Sequence, residues 1–211
     1  MLATRPSLLE VVAASGHAHA ATTFGLALAV EAVSAPAAPT DRVFLWVREA
    51  AAVVETGDAY GPGLMNLGVS PDALISVVVR TQVDALRAAL EGARSTALSA
   101  VVLETMAAVD LTASRRLKLA SEKSGVAVVL IRLKNEAMAN AVPIRWRVSA
   151  APQTIRPGSQ PFATFKVEVL KHPAGLNGNM RIVEWDHERH SFTEALSLSL
   201  AAVSDVRPLA A

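Results

Sequence analysis

The nine residues Ser15-Gly16-His17-Ala18-His19-Ala20-Ala21-Thr22-Thr23 join an apolar run to a helical one, the place in an α/β chain where phosphate chemistry concentrates. A helix N-terminus there offers unpaired N–H groups and a favourable dipole to an anion. Set against G-x-x-x-x-G-K-S/T, Gly16 and Thr23 keep their places, while Ala21 stands for the second glycine and Thr22 for the lysine. The lysine supplies a point charge on the β- and γ-phosphates, and the second glycine permits close backbone approach, so both requirements of nucleotide binding are missing. Gly16, Ala21, Thr22 and Thr23 therefore read as a vestigial phosphate loop kept as a turn. Residual phosphate binding is the rival reading. No cofactor and no catalytic residue are expected.

Two carboxylates follow apolar runs at positions where an ATPase needs them. Glu104 comes after Ala100-Val101-Val102-Leu103, where a carboxylate holds Mg²⁺, and Glu49 comes after Val43 to Val47, where one activates water. Without the lysine they read as vestigial acids, solvated at strand ends. His17 and His19 in the turn, and Asp186-His187-Glu188-Arg189-His190 near the chain's end, prompt a metal check. In a continuing strand His187 and His190 face opposite sides, and no complete ligand motif is present, so no metal is expected. The basic residues are clustered. Arg115, Arg116 and Lys118 share one helical segment with Lys123, Arg132 and Lys134 follow, and Arg145 and Arg147 flank Trp146 and alternate outward from it. Such a patch suits phosphates or an acidic partner, and a solvated helix face is the alternative.

The elements that position these residues are legible from apolar spacing. Leu8–Val12, Val43–Val47, Leu74–Val79, Ala100–Leu103 and Val126–Leu133 are short aliphatic runs without polar alternation, which reads as buried parallel strands. Between them Ala20–Val33, Thr81–Arg94 and Thr112–Ser124 have helical spacing, with Val83, Leu86, Ala89 and Leu90 on one face of the second and Leu117 and Ala120 on the third. Thr112 is the predicted N-cap of that third helix and Gly125 its stop. After Pro143 the pattern alternates, predicting antiparallel strands at Ile144–Ser149, Phe165–Leu170 and Met180–Trp185, with a hairpin loop at Pro173–Asn179. The expectation is one α/β domain over 1–211: a mainly parallel β-α core over 1–143, antiparallel strands over 144–190, and a helix from Thr193 to Ala202 with a tail over 191–211. Ala35–Pro39 and Gln153–Pro161 read as Pro-containing loops.

Composition narrows the function classes. Twenty basic and nineteen acidic residues give a formal net charge of +1 in 211 residues, so no global field draws the chain to nucleic acid or anionic lipid. The absence of cysteine excludes disulfides, a thiol nucleophile and thiolate zinc sites. The longest uncharged stretch, Val11–Val30, carries Ser15, His17, His19, Thr22 and Thr23, too polar for a spanning helix. No secretory signal stands at the start, and a cytoplasmic protein with no membrane partner is expected.

Two runs carry a family resemblance: Asp110-Leu111-Thr112-Ala113-Ser114-Arg115-Arg116-Leu117-Lys118-Leu119-Ala120-Ser121-Glu122-Lys123-Ser124-Gly125, and Arg145-Trp146-Arg147-Val148-Ser149-Ala150-Ala151-Pro152. With the order of elements and the degenerate turn they resemble the ImuA family, RecA-like accessory factors of the bacterial SOS mutagenesis cassette. The segment Ala59–Val69 is also similar to the helix and turn before the third core strand of RecA. The resemblance implies a three-layer RecA-like core with helices on both faces of the sheet. It implies a non-catalytic adaptor in translesion synthesis, acting on the nucleoid after DNA damage. The implied partners are an ImuB-like inactive Y-family polymerase relative, the RecA filament and, indirectly, an error-prone C-family polymerase, with weak DNA contact besides. The interaction candidates among the residues are Arg115, Arg116, Lys118, Arg145, Trp146 and Arg147. The connection from Leu133 to Ile144 has about ten residues, too short to resemble RecA's long DNA-binding loop. The chain also starts close to the first strand, so RecA's filament-forming arm is expected to be missing. Two alternatives stay open: a weak ATPase using Glu49, Glu104 and the degenerate turn, and an inhibitor of cell division, since SulA too resembles a RecA core without a P-loop.

Overall fold

The computed structural model describes residues 7–34, 43–134, 139–152 and 163–195. The elements in chain order are β1 (Leu8–Ala13), α1 (Ala18–Val33), β2 (Phe44–Glu49), α2 (Ala50–Thr56), α3 (Gly61–Leu67), β3 (Leu74–Val79), α4 (Gln82–Arg94), β4 (Ala100–Thr105), α5 (Leu111–Ser124), β5 (Ala127–Arg132), β6 (Ile144–Ala150), β7 (Thr164–Lys171), β8 (Met180–Asp186) and β9 (Ser191–Glu194). The strands form a nine-stranded sheet in the order β3-β2-β4-β5-β1-β6-β7-β8-β9. All neighbours from β3 to β6 run parallel, and β6 to β9 continue antiparallel. β1, β2 and β4 are buried throughout, as continuous aliphatic runs require when both faces of a parallel sheet are covered.

The two faces are covered by different chemistry. α1 reads AHAATTFGLALAVEAV and buries Ala21, Phe24, Leu28 and Val30 among others, around its whole circumference. A helix apolar on all sides belongs inside the protein, and the late strands curl back over this one. Phe24 meets Trp146, Phe165 and Phe192 at ring-centroid distances of 4.5 to 6.3 Å, and Glu31 Oε1 accepts a hydrogen bond from the Phe192 amide at 3.0 Å. The β8–β9 turn reaches the end of α3, where a Cβ on Gly68 would lie 2.6 Å from His190 Nε2. On the opposite face α4 and α5 lie over Leu45, Val47, Val101, Leu103, Val128 and Leu130. No helix among the described residues is long and apolar enough to cross a membrane.

Several expectations are corrected here. α5 is capped by Asp110, whose side chain accepts from the Ala113 amide at 2.7 Å, not by Thr112; a carboxylate at that position also complements the helix dipole. Gly125 does terminate α5, with φ 81°. The parallel part extends past residue 143, because β6 pairs parallel with β1 and only its other edge, with β7, is antiparallel. Thr193 and Glu194 belong to β9 rather than to a helix: β8 offers an open edge, and strand pairing with Glu184 and Val183 outweighs local helical spacing. Residues 196–202 of that expected helix, and the loops at 35–39 and 153–161, lie outside the described residues. On α4 the stripe against the sheet is Ala85, Ala89, Gly92 and Ala93, while Val83 is 56% exposed and Leu86 and Leu90 are half-buried. Small residues allow close approach: a Cβ on Gly92 would meet Leu45 Cδ2 at 2.4 Å.

Candidate functional site

The turn after β1 is built as its sequence suggests. Gly16 adopts φ 76°, a left-handed conformation that favours glycine, and α1 begins two residues later. His17 is tied to the sheet: its Nδ1 accepts from the Ala150 amide at 3.3 Å. Ala21 and Thr22 are buried in α1, and Thr23 is half-buried.

Glu104 is not a solvated strand-end acid. It is the penultimate residue of β4, on the α1 side of the sheet, with a relative exposure of 0%. Arg48 of β2 is its direct cross-strand partner, and Arg48 Nε donates to Glu104 Oε2 at 2.6 Å. Glu104 Oε1 accepts from Thr22 Oγ1 at 2.5 Å, with Thr56 Oγ1 at 3.2 Å. Arg48 Nη2 donates to Thr56 Oγ1 at 2.6 Å, and its guanidinium lies 4.1 Å from the centre of the Trp46 ring. Both carboxylate oxygens of Glu104 are thus engaged by side chains from α1, β2 and the end of α2. A carboxylate free of a neighbouring arginine would be open to a divalent cation, whereas this one already carries its counter-charge in covalent form. A desolvated guanidinium at 2.6 Å also repels a second cation at the same place.

Glu49 is likewise enclosed. Its Oε2 accepts from Thr105 Oγ1 at 2.9 Å and from the Met106 amide at 2.7 Å. Gln82, at the start of α4, donates to the Ala108 carbonyl at 3.1 Å. This arrangement uses Glu49 Oε2 to fasten the β4–α5 connection.

The expected basic patch divides in two. Arg115 and Arg116 are exposed on α5, and Lys118 lies 3.6 Å from Glu122. Trp146 is buried against Phe24 and cannot contact a partner directly, because its side of β6 faces the α1 core. Arg132 and Arg145 do not point freely outward. They converge on Glu10, a fully buried acid in β1, with Arg145 Nε at 2.5 Å and Arg132 Nε at 2.7 Å. Asn140 joins them, its Nδ2 donating to Glu10 at 3.0 Å and its Oδ1 accepting from Arg145 Nη2 at 2.7 Å. Arg147 pairs with Glu168 across β6 and β7 at 2.7 Å. Sequence reasoning missed Glu10, Arg48 and Asn140. The signal available was an acid inside Leu8-Leu9-Glu10-Val11-Val12, which a buried strand tolerates only when paired.

A cavity of about 390 Å³ opens beside the vestigial turn, between α1, α3 and β8, with His19, Thr22, Tyr60, Trp185 and His187 among its walls. Thr22 therefore has its hydroxyl on Glu104 and borders this space.

No protein-family model matches the chain. It is 34% identical over 187 residues to Protein ImuA from two strains of Caulobacter vibrioides, covering 80% of this chain and 76% of the relative in each case. Among solved structures it is similar to the crystal structure of the RadB recombinase, with a TM-score of 0.56 over 91% of this chain and 92% of that one, at 14% identity. At that identity the likeness shows the fold, a RecA-like α/β core with an antiparallel extension.

Proposed function

The chain belongs to the ImuA family, and from that premise we propose that it is a non-catalytic RecA-like adaptor in SOS-induced translesion DNA synthesis. The observation that carries this reading is the buried Arg48–Glu104 pair with Thr22 and Thr56. In an ATPase of this fold the acid ending the fourth strand holds Mg²⁺, and a lysine in the turn holds the phosphates; positioning and charge neutralisation are most of phosphoryl-transfer catalysis. Here Thr22 stands where the lysine would, and Arg48 neutralises the acid from within the protein. The same contacts join α1, β2, α2 and β4 without a ligand.

A protein without turnover is suited to holding others in place. The partners we infer are an ImuB-like inactive Y-family polymerase relative and the RecA filament, with an error-prone C-family polymerase reached through the first of these on the damaged nucleoid. The test is capture by the immobilised full chain of the purified polymerase relative and, separately, of RecA filaments preformed on single-stranded DNA. Retention of at least one of them, unchanged when ATP is added to the polymerase-relative experiment, is expected. Blank capture of both would refute the adaptor reading.

A further inference from the structure

The apolar stripe that helical spacing predicts on α4 is split: Ala89 packs on the sheet, and the larger residues do not. Val83, Leu86 and Leu90 turn toward α5, where they form the floor of a groove with Leu117. This space of about 250 Å³ adjoins a second of about 540 Å³ bordered by Leu119, Ala120 and Lys123, and Arg116 lines both. Val83 at 56% exposure and Leu119 at 59% leave apolar surface uncovered at the two ends. The groove follows α5, whose 14 residues span roughly 20 Å at 1.5 Å per residue.

Its rim is cationic. On α4 the charges balance, with Arg87 3.5 Å from Asp84 and Arg94 2.7 Å from Glu91. On α5, Arg115, Arg116, Lys118 and Lys123 face only Glu122, which lies beside Lys118, while Asp110 is engaged in capping the helix. Among the described residues no ion pair holds Arg115, Arg116 or Lys123. The surface thus combines leucine-sized apolar sites with unneutralised positive charge along one line.

From this we infer that the α4–α5 groove docks an acidic amphipathic helix of a partner protein, its apolar residues seated between Val83 and Leu119 and its carboxylates on Arg116 and Lys123. Apolar anchors at i, i+3 and i+7 fit a groove between two helices, and the opposite charges fix orientation and speed association. The chain's own terminal segments do not match this chemistry: residues 1–6 hold only Arg5, and residues 196–211 hold Asp205 and Arg207. A nucleic acid needs the cations but gains nothing from the apolar floor. The inference rests on the adaptor reading and supplies it with a surface.

The probe is a fluorescein-labelled 14-residue peptide with leucines at i, i+3 and i+7 and glutamates on its other face, titrated by anisotropy against the full chain. Binding that weakens with salt is expected, with at least a tenfold loss in Arg116→Glu combined with Lys123→Glu. Leu119→Ser should cause a similar loss without changing charge. All three positions are exposed, and an unchanged melting temperature confirms that the variants fold. The inference is overturned if the peptide fails to bind, if the variants bind it as the wild type does, or if a fourteen-nucleotide dT oligomer binds as tightly with the same variant dependence. Partner capture separates the two claims. Wild-type capture that the groove variants leave intact overturns the groove as the docking place and spares the adaptor reading. A blank wild-type capture with intact peptide binding refutes the adaptor reading and supports the groove as an acidic-helix site.

Discussion

Removing the guanidinium of Arg48 should expose what the central network holds together. Arg48→Met keeps much of the side chain's apolar volume but leaves the Glu104 carboxylate at 0% exposure with only hydroxyl donors. Breaking one side of a buried ion pair costs about 3 to 5 kcal/mol, because the remaining charge is stranded in low dielectric. For a domain of this length about 1 kcal/mol moves the melting temperature by about 2 to 4 °C, so a fall of roughly 6 to 20 °C is expected. Glu104→Leu should cost a comparable amount by stranding Arg48, which is 2% exposed. The double variant replaces the pair by apolar groups of similar size, an exchange that is often close to neutral. Thr56 keeps the Ala52 carbonyl as an acceptor at 2.9 Å, so its hydroxyl is not orphaned. A double-mutant cycle followed by urea denaturation should therefore give a coupling energy of at least about 2 kcal/mol. Single variants that each cost under about 1 kcal/mol, or costs that simply add, would refute the account of a buried, mutually dependent pair.

Two further perturbations test the packing that positions the site. Leu117, at 1% exposure on α5, should lose about 2 to 5 kcal/mol on truncation to alanine, read from denaturation midpoints at constant slope. Gly25→Ala should destabilise by about 1 to 3 kcal/mol despite alanine's better helix propensity, because the added Cβ would lie 2.5 Å from Ile131 Cδ1 inside the core; a rise in melting temperature would show that this contact yields easily.

How much of this was legible in the sequence depends on whether a feature is local or requires knowledge of strand neighbours. The parallel strands and the three long helices follow from aliphatic runs and helical spacing, and the stop at Gly125 follows from local chemistry alone. The fate of Glu104 does not. Its partner Arg48 is 56 residues away and becomes adjacent only when β2 and β4 pair in the register Arg48↔Glu104. Arg145 and Arg147 illustrate the same limit. Alternation correctly places them on the side of β6 opposite Trp146, but it does not say that Glu10 and Glu168 stand across from them on β1 and β7. The strand half of a patch that reads as free cations is therefore engaged by acids on neighbouring strands, while Arg115, Arg116 and Lys123 on α5 stay exposed. The α4 stripe fails for a different reason: hydrophobic spacing scores Val83 and Leu86 above Ala85 and Ala93, whereas close approach to the sheet selects the smaller residues.

One of the two runs that carry the resemblance to ImuA is α5, and the structure explains why its residues occur together. Ser114 accepts from the Ala141 amide at 2.9 Å, while Ser121 donates to the Ser7 carbonyl at 2.6 Å, so the helix's buried serines fasten the loops at its two ends. Leu117 fills the core between them, and Arg115 and Arg116 are left exposed.

The central claim is that Arg48 and Thr22 have taken over the positions of metal and lysine. Its most direct test is a calorimetric and thermal-shift titration of the full chain with ATP and Mg²⁺ up to millimolar concentration. The account predicts no heat of binding and no change in melting temperature. A ligand present at about a hundred times its dissociation constant stabilises the folded state by about 2.7 kcal/mol. A saturable heat with a matching rise in melting temperature would contradict the claim and place a nucleotide beside Glu104.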